Sequence, residues 1–193
     1  MYEEKPLSVL IMPPINRSTN VEAKEYFYTT LNVPILNAGY YVIPPFLSME
    51  ILKRESAYDS ELFIERPSLK IFNNIFGADI ILFTIINKWD KSSIGSKVTV
   101  EVEYILKSTH TNEILYSRKG TISYNTSISS GGGALLNILA SVANTAATKY
   151  VEVAKAANNY IFTDLPKGKY SPMFGLDKEE MAGLKVIKVR LPK

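Results

Sequence analysis

The sequence predicts an α/β (α+β) domain of three or two layers on one mixed sheet, with parallel strands from βαβ units first, an antiparallel meander after them, and a long C-terminal helix packed on the sheet. Three observations carry this. The run Ala78–Trp89 is apolar on both alternating faces, as suits a central strand covered on both sides. The next run, 97–106, alternates cleanly: Val98, Val100, Val102, Tyr104 and Leu106 on one face, Lys97, Thr99, Glu101 and Glu103 on the other, which describes a strand with one buried and one wet face. Upstream of both, short apolar runs and helical patterns alternate, which is the βαβ signature of parallel strands with right-handed crossovers.

Taken in order, residues 1–6 read as a lead-in, and Leu7–Met12 is a short strand stopped by Pro13-Pro14, which cannot continue a ladder. Thr19 and Glu22 have capping-box spacing, and Ala23, Phe27, Thr30/Leu31 and Pro34/Ile35 mark the inner face of the helix that follows. Pro34 kinks or ends it and Gly39 closes it. Tyr40–Ile43 is a second strand stopped by Pro44-Pro45. Phe46–Glu55 and Pro67–Phe76 read as short helices, the second opened by its proline and closed by Gly77. The core extends to Tyr124. In 113–124, Ile114, Tyr116, Ile122 and Tyr124 share one face and Ser117, Lys119, Thr121 and Ser123 the other, and the short polar links 90–96 and 108–112 favour antiparallel pairing.

Residues 125–133, ending in three glycines, read as a flexible connector. A helix is expected over 134–162, with Leu135, Ile138/Leu139, Val142, Ala146, Tyr150, Val153 and Ala157 as its stripe. At 1.5 Å per residue it would span about 43 Å, longer than a small sheet needs. Its small residues, Ala143, Ala146, Ala147 and Ala154, suit packing on its own sheet, and a projecting part would mark an interface. The tail 163–193 is irregular, with a turn or two of helix over 177–182 and an edge strand at 186–191. All 193 residues are expected to form a single domain.

Composition excludes several functions. With 22 basic and 19 acidic residues the net charge is only +3, and no basic run interleaves with aromatics as a nucleic-acid surface requires. There is no cysteine, so disulfides, thiolate metal sites and cysteine nucleophiles are out. No stretch reaches the roughly 18 apolar residues a membrane span demands, and the N-terminal apolar run is too short for a signal peptide.

Residues that resemble chemistry have plainer readings. His110, the only histidine, lies in a polar link with nothing to orient it, so a solvent-exposed histidine is expected. Ser129–Gly133 before a helix superficially resembles a phosphate cradle but lacks the P-loop lysine. Glu101 and Glu103 could converge as an acid–base pair, yet alternating charge on a wet strand face explains them equally. Asp79 and Asp90 flank the buried strand and end it. Asn16-Arg-Ser18 and Asn125-Thr-Ser127 fit the glycosylation triplet, which matters only in a eukaryotic secretory context. No catalytic, cofactor-binding or metal-binding residue is expected.

Val9–Asn16, Thr29–Leu36, Gly39–Pro44, Phe76–Asp79 and Leu165–Pro172 together resemble a family of predicted bacterial lipoproteins, domain of unknown function 799, which includes a neisserial surface antigen. The resemblance implies a lipid-anchored protein on the periplasmic face of the outer membrane of a Gram-negative bacterium, similar in fold to the amino-terminal domain of TolB. It also implies a non-enzymatic module that contacts envelope protein partners in an assembly or transport complex and self-associates as a homodimer. Its membrane attachment would be a lipid anchor absent from this chain, which has no lipobox cysteine. Two rival readings stand beside it. One is a small-molecule or nucleotide-binding protein, hydrolases included, using the strand ends at Pro13–Ser18 and Pro44–Phe46. The other is an activator of a peptidoglycan synthase.

Overall fold

The computed structural model describes residues 1–91, 97–125 and 146–190. In chain order the elements are β1 (Ser8–Ile11), β2 (Ile15–Asn16), α1 (Ala23–Thr30), α2 (Asn32–Asn37), β3 (Tyr41–Val42), α3 (Pro45–Arg54), α4 (Glu61–Ile64), α5 (Lys70–Phe76), β4 (Ile80–Lys91), β5 (Lys97–Ser108), β6 (Ile114–Asn125), α6 (Ala146–Ile161) and β7 (Val186–Arg190). The strands form one mixed sheet in the order β3-β1-β4-β5-β6-β7, with β2 also pairing with β4. β1 is parallel to β3 and β4, and β4, β5 and β6 form the antiparallel meander. β7 joins β6 in parallel as the edge strand expected near 186.

Both faces of β4 are buried, as its sequence requires. Ile80, Leu82 and Ile86 pack with Phe27, Leu31 and Ile35 of the α1–α2 side and with Val153, Ala157 and Ile161 of α6. Ile81 and Phe83 pack on the opposite side with Leu52, Phe63, Leu69 and Phe72 of the α3–α5 side. The parallel half of the sheet is therefore three layers thick. Over the meander the buried face carries Val98, Val100, Val102, Tyr104 and Leu106, which meet the α6 side of the core.

Several expectations need correction. β1 does stop ahead of Pro13-Pro14, at Ile11, but beyond this break β2 resumes its path against the same neighbour, Ile15 opposite Ile85, and Arg17 N–H donates to Ile86 O at 2.9 Å. Thr19 does not cap α1. The Asn20 carboxamide oxygen accepts from the N–H groups of Glu22 and Ala23 instead, at 3.0 and 3.1 Å, and Tyr26 joins the inner face. Pro34 breaks the predicted helix into α1 and α2, because its ring clashes with the carbonyl four residues back. α5 starts at Lys70, not at Pro67, and closes at Gly77 in the left-handed conformation as expected. α4 was not foreseen.

Ile114 changes faces. The register passes from Leu106 opposite Tyr116 to Lys107 opposite Ile114, so Leu115 is an extra residue. Such a bulge inverts side-chain parity, and Ile114 is 60 % exposed while Tyr116 stays buried. A second shift between Ile86 and Lys88 turns Trp89 back into the core, where its ring lies 5.7 Å from those of both Tyr26 and Phe27.

The lead-in is tied down: Tyr2 Oη donates to Asp177 O at 3.1 Å, Glu4 accepts from Thr111 Oγ1 at 2.6 Å, and Met1 packs against the core. Residues 177–182 form a turn that runs into irregular chain, not helix, and Asn125 belongs to β6 rather than to a connector. The connector over 126–133, the helix over 134–145 with Leu135, Ile138/Leu139, Val142 and Ala143, and the side chains of Tyr124, Ala146, Ala147 and Tyr150 lie outside what is described. From 151 onward the α6 stripe faces the sheet, with Val153, Ala154 and Ala157 buried.

A buried polar network ties α6 to the rest. Tyr104 Oη donates to the Asn158 carboxamide oxygen, and Asn158 Nδ2 donates to Thr30 Oγ1 at 2.8 Å and to Phe27 O at 3.4 Å. Tyr104 and Asn158 are fully buried, and burial pushes the Tyr104 hydroxyl far up, keeping it a neutral donor. Asn158→Ala removes the acceptor of that buried hydroxyl, so urea denaturation is expected to show a loss of about 1–3 kcal/mol. The half-buried neighbour substitution Asn159→Ala is expected to stay within about 0.5 kcal/mol.

Candidate interaction surface

Several of the described residues singled out for chemistry are bonded within the fold. His110 sits in the β5–β6 turn with Nε2 3.3 Å from Asp79 Oδ1, so it has a partner the sequence did not suggest, although its side chain stays half exposed. Asp79 Oδ2 accepts from Leu7 N–H at 2.7 Å and Ser8 N–H at 3.2 Å. Burial pushes this carboxyl up, but the two backbone N–H groups, His110 and the Ser8 hydroxyl outweigh it and hold it below the usual carboxylate range. The Ser8 hydroxyl donates to Gly77 O at 2.6 Å and accepts from Asp79 N–H at 2.9 Å. The hydroxyl is thus held as donor and as acceptor between the start of β1 and the approach to β4. It lies at the amino ends of β1 and β4, whereas parallel sheets hold ligands at the carboxyl ends.

At those carboxyl ends the polar groups bind one another. Asn16 Nδ2 donates to Asn20 O at 2.7 Å, while its oxygen accepts from Ser18 N–H and Oγ. Ser60 Oγ donates to Pro13 O, and Arg17 pairs with Glu61 at 2.7 Å on the surface. Pro44 and Pro45 simply open α3. Glu101 accepts from Lys119 at 2.7 Å across β5–β6, and Glu103 stands opposite the same lysine. This cross-strand arrangement is that of a wet sheet face. Asp90 pairs with Lys88 at 2.9 Å, within β4, so it does not end the strand. Among the described residues no group of three or more His, Asp or Glu could hold a metal ion, and no helix is long and apolar enough to cross a membrane. The glycine-rich Ser129–Gly133 lies outside them.

What stands out is apolar. In α3 the inner face is Ser48 and Leu52, yet Phe46 is 77 % and Leu47 59 % exposed, and Ile51 lies one turn on from Leu47 along the same outward face. In α5, Phe72 points inward while Ile71 and Ile75, also one turn apart, are about half exposed. In α2, Pro34 and Ile35 are buried, and Val33 and Leu36 face out. Tyr41 of the edge strand β3 is half exposed as well. A surface helix ordinarily carries one apolar stripe and a polar outer face; these carry apolar residues on both. Reading the inner stripes alone missed this, although the signal was present: in Phe46–Leu52 only Ser48 and Glu50 are polar.

The sequence profile of the family described as "Putative lipoprotein GNA1162-like" matches residues 1–169. The chain belongs to that family. A curated relative, "Putative lipoprotein NMB1124/NMB1162" of Neisseria meningitidis serogroup B, is 27 % identical over 161 residues, covering 80 % of this chain and 74 % of its own length. The crystal structure of lipoprotein GNA1162 from Neisseria meningitidis superposes with a TM-score of 0.60 at 25 % identity, covering 70 % of this chain and 94 % of that one. It shares the mixed α/β architecture described above. The C-terminal domain of LpoB from Escherichia coli matches at a TM-score of 0.43 and 19 % identity, over 62 % of this chain and 85 % of that one, a likeness too slight to support an argument about function.

Proposed function

We propose that this GNA1162-like chain is the folded part of a lipid-anchored envelope lipoprotein on the periplasmic face of the outer membrane. It works through protein contacts, with a homodimer among them, and not by catalysis. The observation that carries this reading is the set of outward apolar residues on α3 and α5 on one side of the sheet, and on α2 on the other, which a stable monomer in water has no reason to keep. Family membership supports the envelope setting. The internal bonding of His110, Asp79, Ser8 and Glu101 supports the non-catalytic part.

The test is crosslinking in the native membrane, followed by mass spectrometry, together with light scattering of the purified chain. Phe46→Glu with Leu47→Glu changes two exposed side chains, so its folding cost is expected to stay near 0.5 kcal/mol per site. At an interface, two charges in place of two apolar anchors are expected to weaken association by a factor of about 10 or more, roughly 1.4 kcal/mol. A parent chain that scatters as a strict monomer and crosslinks to nothing would refute the reading.

A further inference from the structure

Between α3, α4 and α5 the packing leaves a cavity of about 110 Å³. Leu52, Phe63 and Phe72 form buried walls, Ala57 leaves room at one side, and the half-exposed Ile71 and Ile75 connect it to solvent. The Phe63 and Phe72 rings meet edge to face at 5.0 Å, so the wall is stiff. Two charges line the same opening, Glu55 and Arg66, and the Arg66 guanidinium is set 5.2 Å over the Phe63 ring. Both are exposed, and neither makes an ion pair among the described residues.

We propose that this cavity receives one apolar side chain, of phenylalanine or leucine size, from a protein partner. That side chain is flanked by an acidic group that meets Arg66 and a basic group that meets Glu55. The inference rests on the protein-contact reading above and names the chemistry of the partner. The cavity's size, about 110 Å³ and open to solvent at Ile71 and Ile75, is of the order of the roughly 150 Å³ closed apolar cavity that holds a whole benzene molecule. Chemistry supports the inference too, because binding energy at protein interfaces concentrates on a few apolar anchors seated in dry pockets with a polar surround. Glu55 and Arg66, neither in an ion pair among the described residues, supply the charge complementarity, and α3 carries the cavity wall at Leu52 and the exposed apolar face at Phe46, Leu47 and Ile51. A larger residue at Ala57 would close the space from within, yet the chain has alanine there.

The full chain is titrated with N-acetyl-phenylalanine amide and N-acetyl-leucine amide and followed by amide NMR, with N-acetyl-alanine amide as control. Saturable shifts confined to α3–α5 are expected for the first two and none for the third. Ala57→Leu fills the cavity and is expected to weaken both by about tenfold or more while melting at or above the parent's temperature. If that variant does not fold, Ile75→Glu makes the same measurement from a half-exposed position. Absence of saturable shifts at α3–α5, or equal affinity in the substituted chain, overturns the site. Crosslinking in the native membrane then separates the two readings. A filled variant that loses the parent's crosslinks supports the protein anchor. One that keeps them all overturns the anchor and leaves the contact reading standing, whereas a parent without crosslinks overturns the contact reading itself.

Discussion

Gly39→Ala is expected to destabilise the fold by about 3–5 kcal/mol, a large part of the 5–15 kcal/mol that holds a typical domain together. Gly39 has φ +89°, and a Cβ added there would lie 2.5 Å from Ser171 N, 2.6 Å from Ser171 Cβ and 2.9 Å from Gly168 O. Two of these contacts are backbone, which cannot rotate away. The segments they belong to are joined by Gly168 N–H donating to Ala38 O at 2.8 Å and Tyr170 N–H donating to Gly39 O at 3.0 Å. Tyr40 Oη reinforces the junction by donating to Pro166 O at 2.6 Å. Relieving the clash therefore means undoing the clasp between the α2–β3 turn and the tail. Gly77→Ala is the control. Its φ is +65°, but nothing lies within 4 Å of the new Cβ, so only the conformational cost of about 1–2 kcal/mol remains. Urea denaturation of the two variants separates strain from overlap. If they lose the same amount, the tail is not locked on Gly39.

The second large effect is expected at Asp164. Its Oδ1 accepts from Tyr116 Oη at 2.9 Å, and its Oδ2 accepts from Arg118 Nη2 at 2.5 Å and from Gly183 N–H at 2.9 Å. Arg118 is almost wholly buried, with its guanidinium 4.6 Å over the Tyr116 ring. Asp164→Ala leaves that charge buried without a counter-ion, a situation that costs about 3–5 kcal/mol. Because the Asp164 side chain is 26 % exposed, the low end, about 3 kcal/mol, is the expected value.

The pH dependence follows with a definite sign. Burial pushes the Asp164 carboxyl up, but the hydrogen bonds from Arg118 and Tyr116, the Arg118 charge and the Gly183 N–H outweigh it and hold it below its ordinary value. A depressed folded-state value contributes stability that is fully present above the unfolded value, about 3.9, and lost as pH falls through the folded one. Denaturation midpoints of the parent are expected to fall steeply below about pH 4, and those of Asp164→Ala less steeply. Asp79, held down in the same direction, supplies part of the slope that remains. Equal slopes in parent and variant would mean that the Arg118 pair contributes nothing.

These two sites also show where sequence reading stops. The Asp164–Arg118 pair spans 46 positions and the Gly39 junction about 130, and no local pattern marks either partner. By contrast, the alternation of Val98 to Leu106 directly records which side of β5 is buried, and the two-faced apolar run of β4 records that both sides are. Local rules failed where a neighbour intervened. Asn20 displaced Thr19 as the cap of α1, the extra residue Leu115 turned Ile114 outward, and the two residues of β2 are too few to show a period. The candidate surface was missed for another reason: an inward stripe satisfies the fold, so the outward apolar residues of α2, α3 and α5 draw attention only once exposure is measured.

Alone, the sequence determined the kind of fold, the central place of β4, the antiparallel meander, the parallel pairing ahead of it and the family phrases along β1, α2 and β3. Each is written in residues close together in the chain, as a period, a breaker or a motif. Tertiary structure alone decided that His110, Asp79 and Ser8 are bonded to one another, that Arg118 must have Asp164, and that α3 and α5 present apolar residues beside an open cavity. These depend on which distant segments meet and on which side is left to water, and neither is a property of any one stretch of chain.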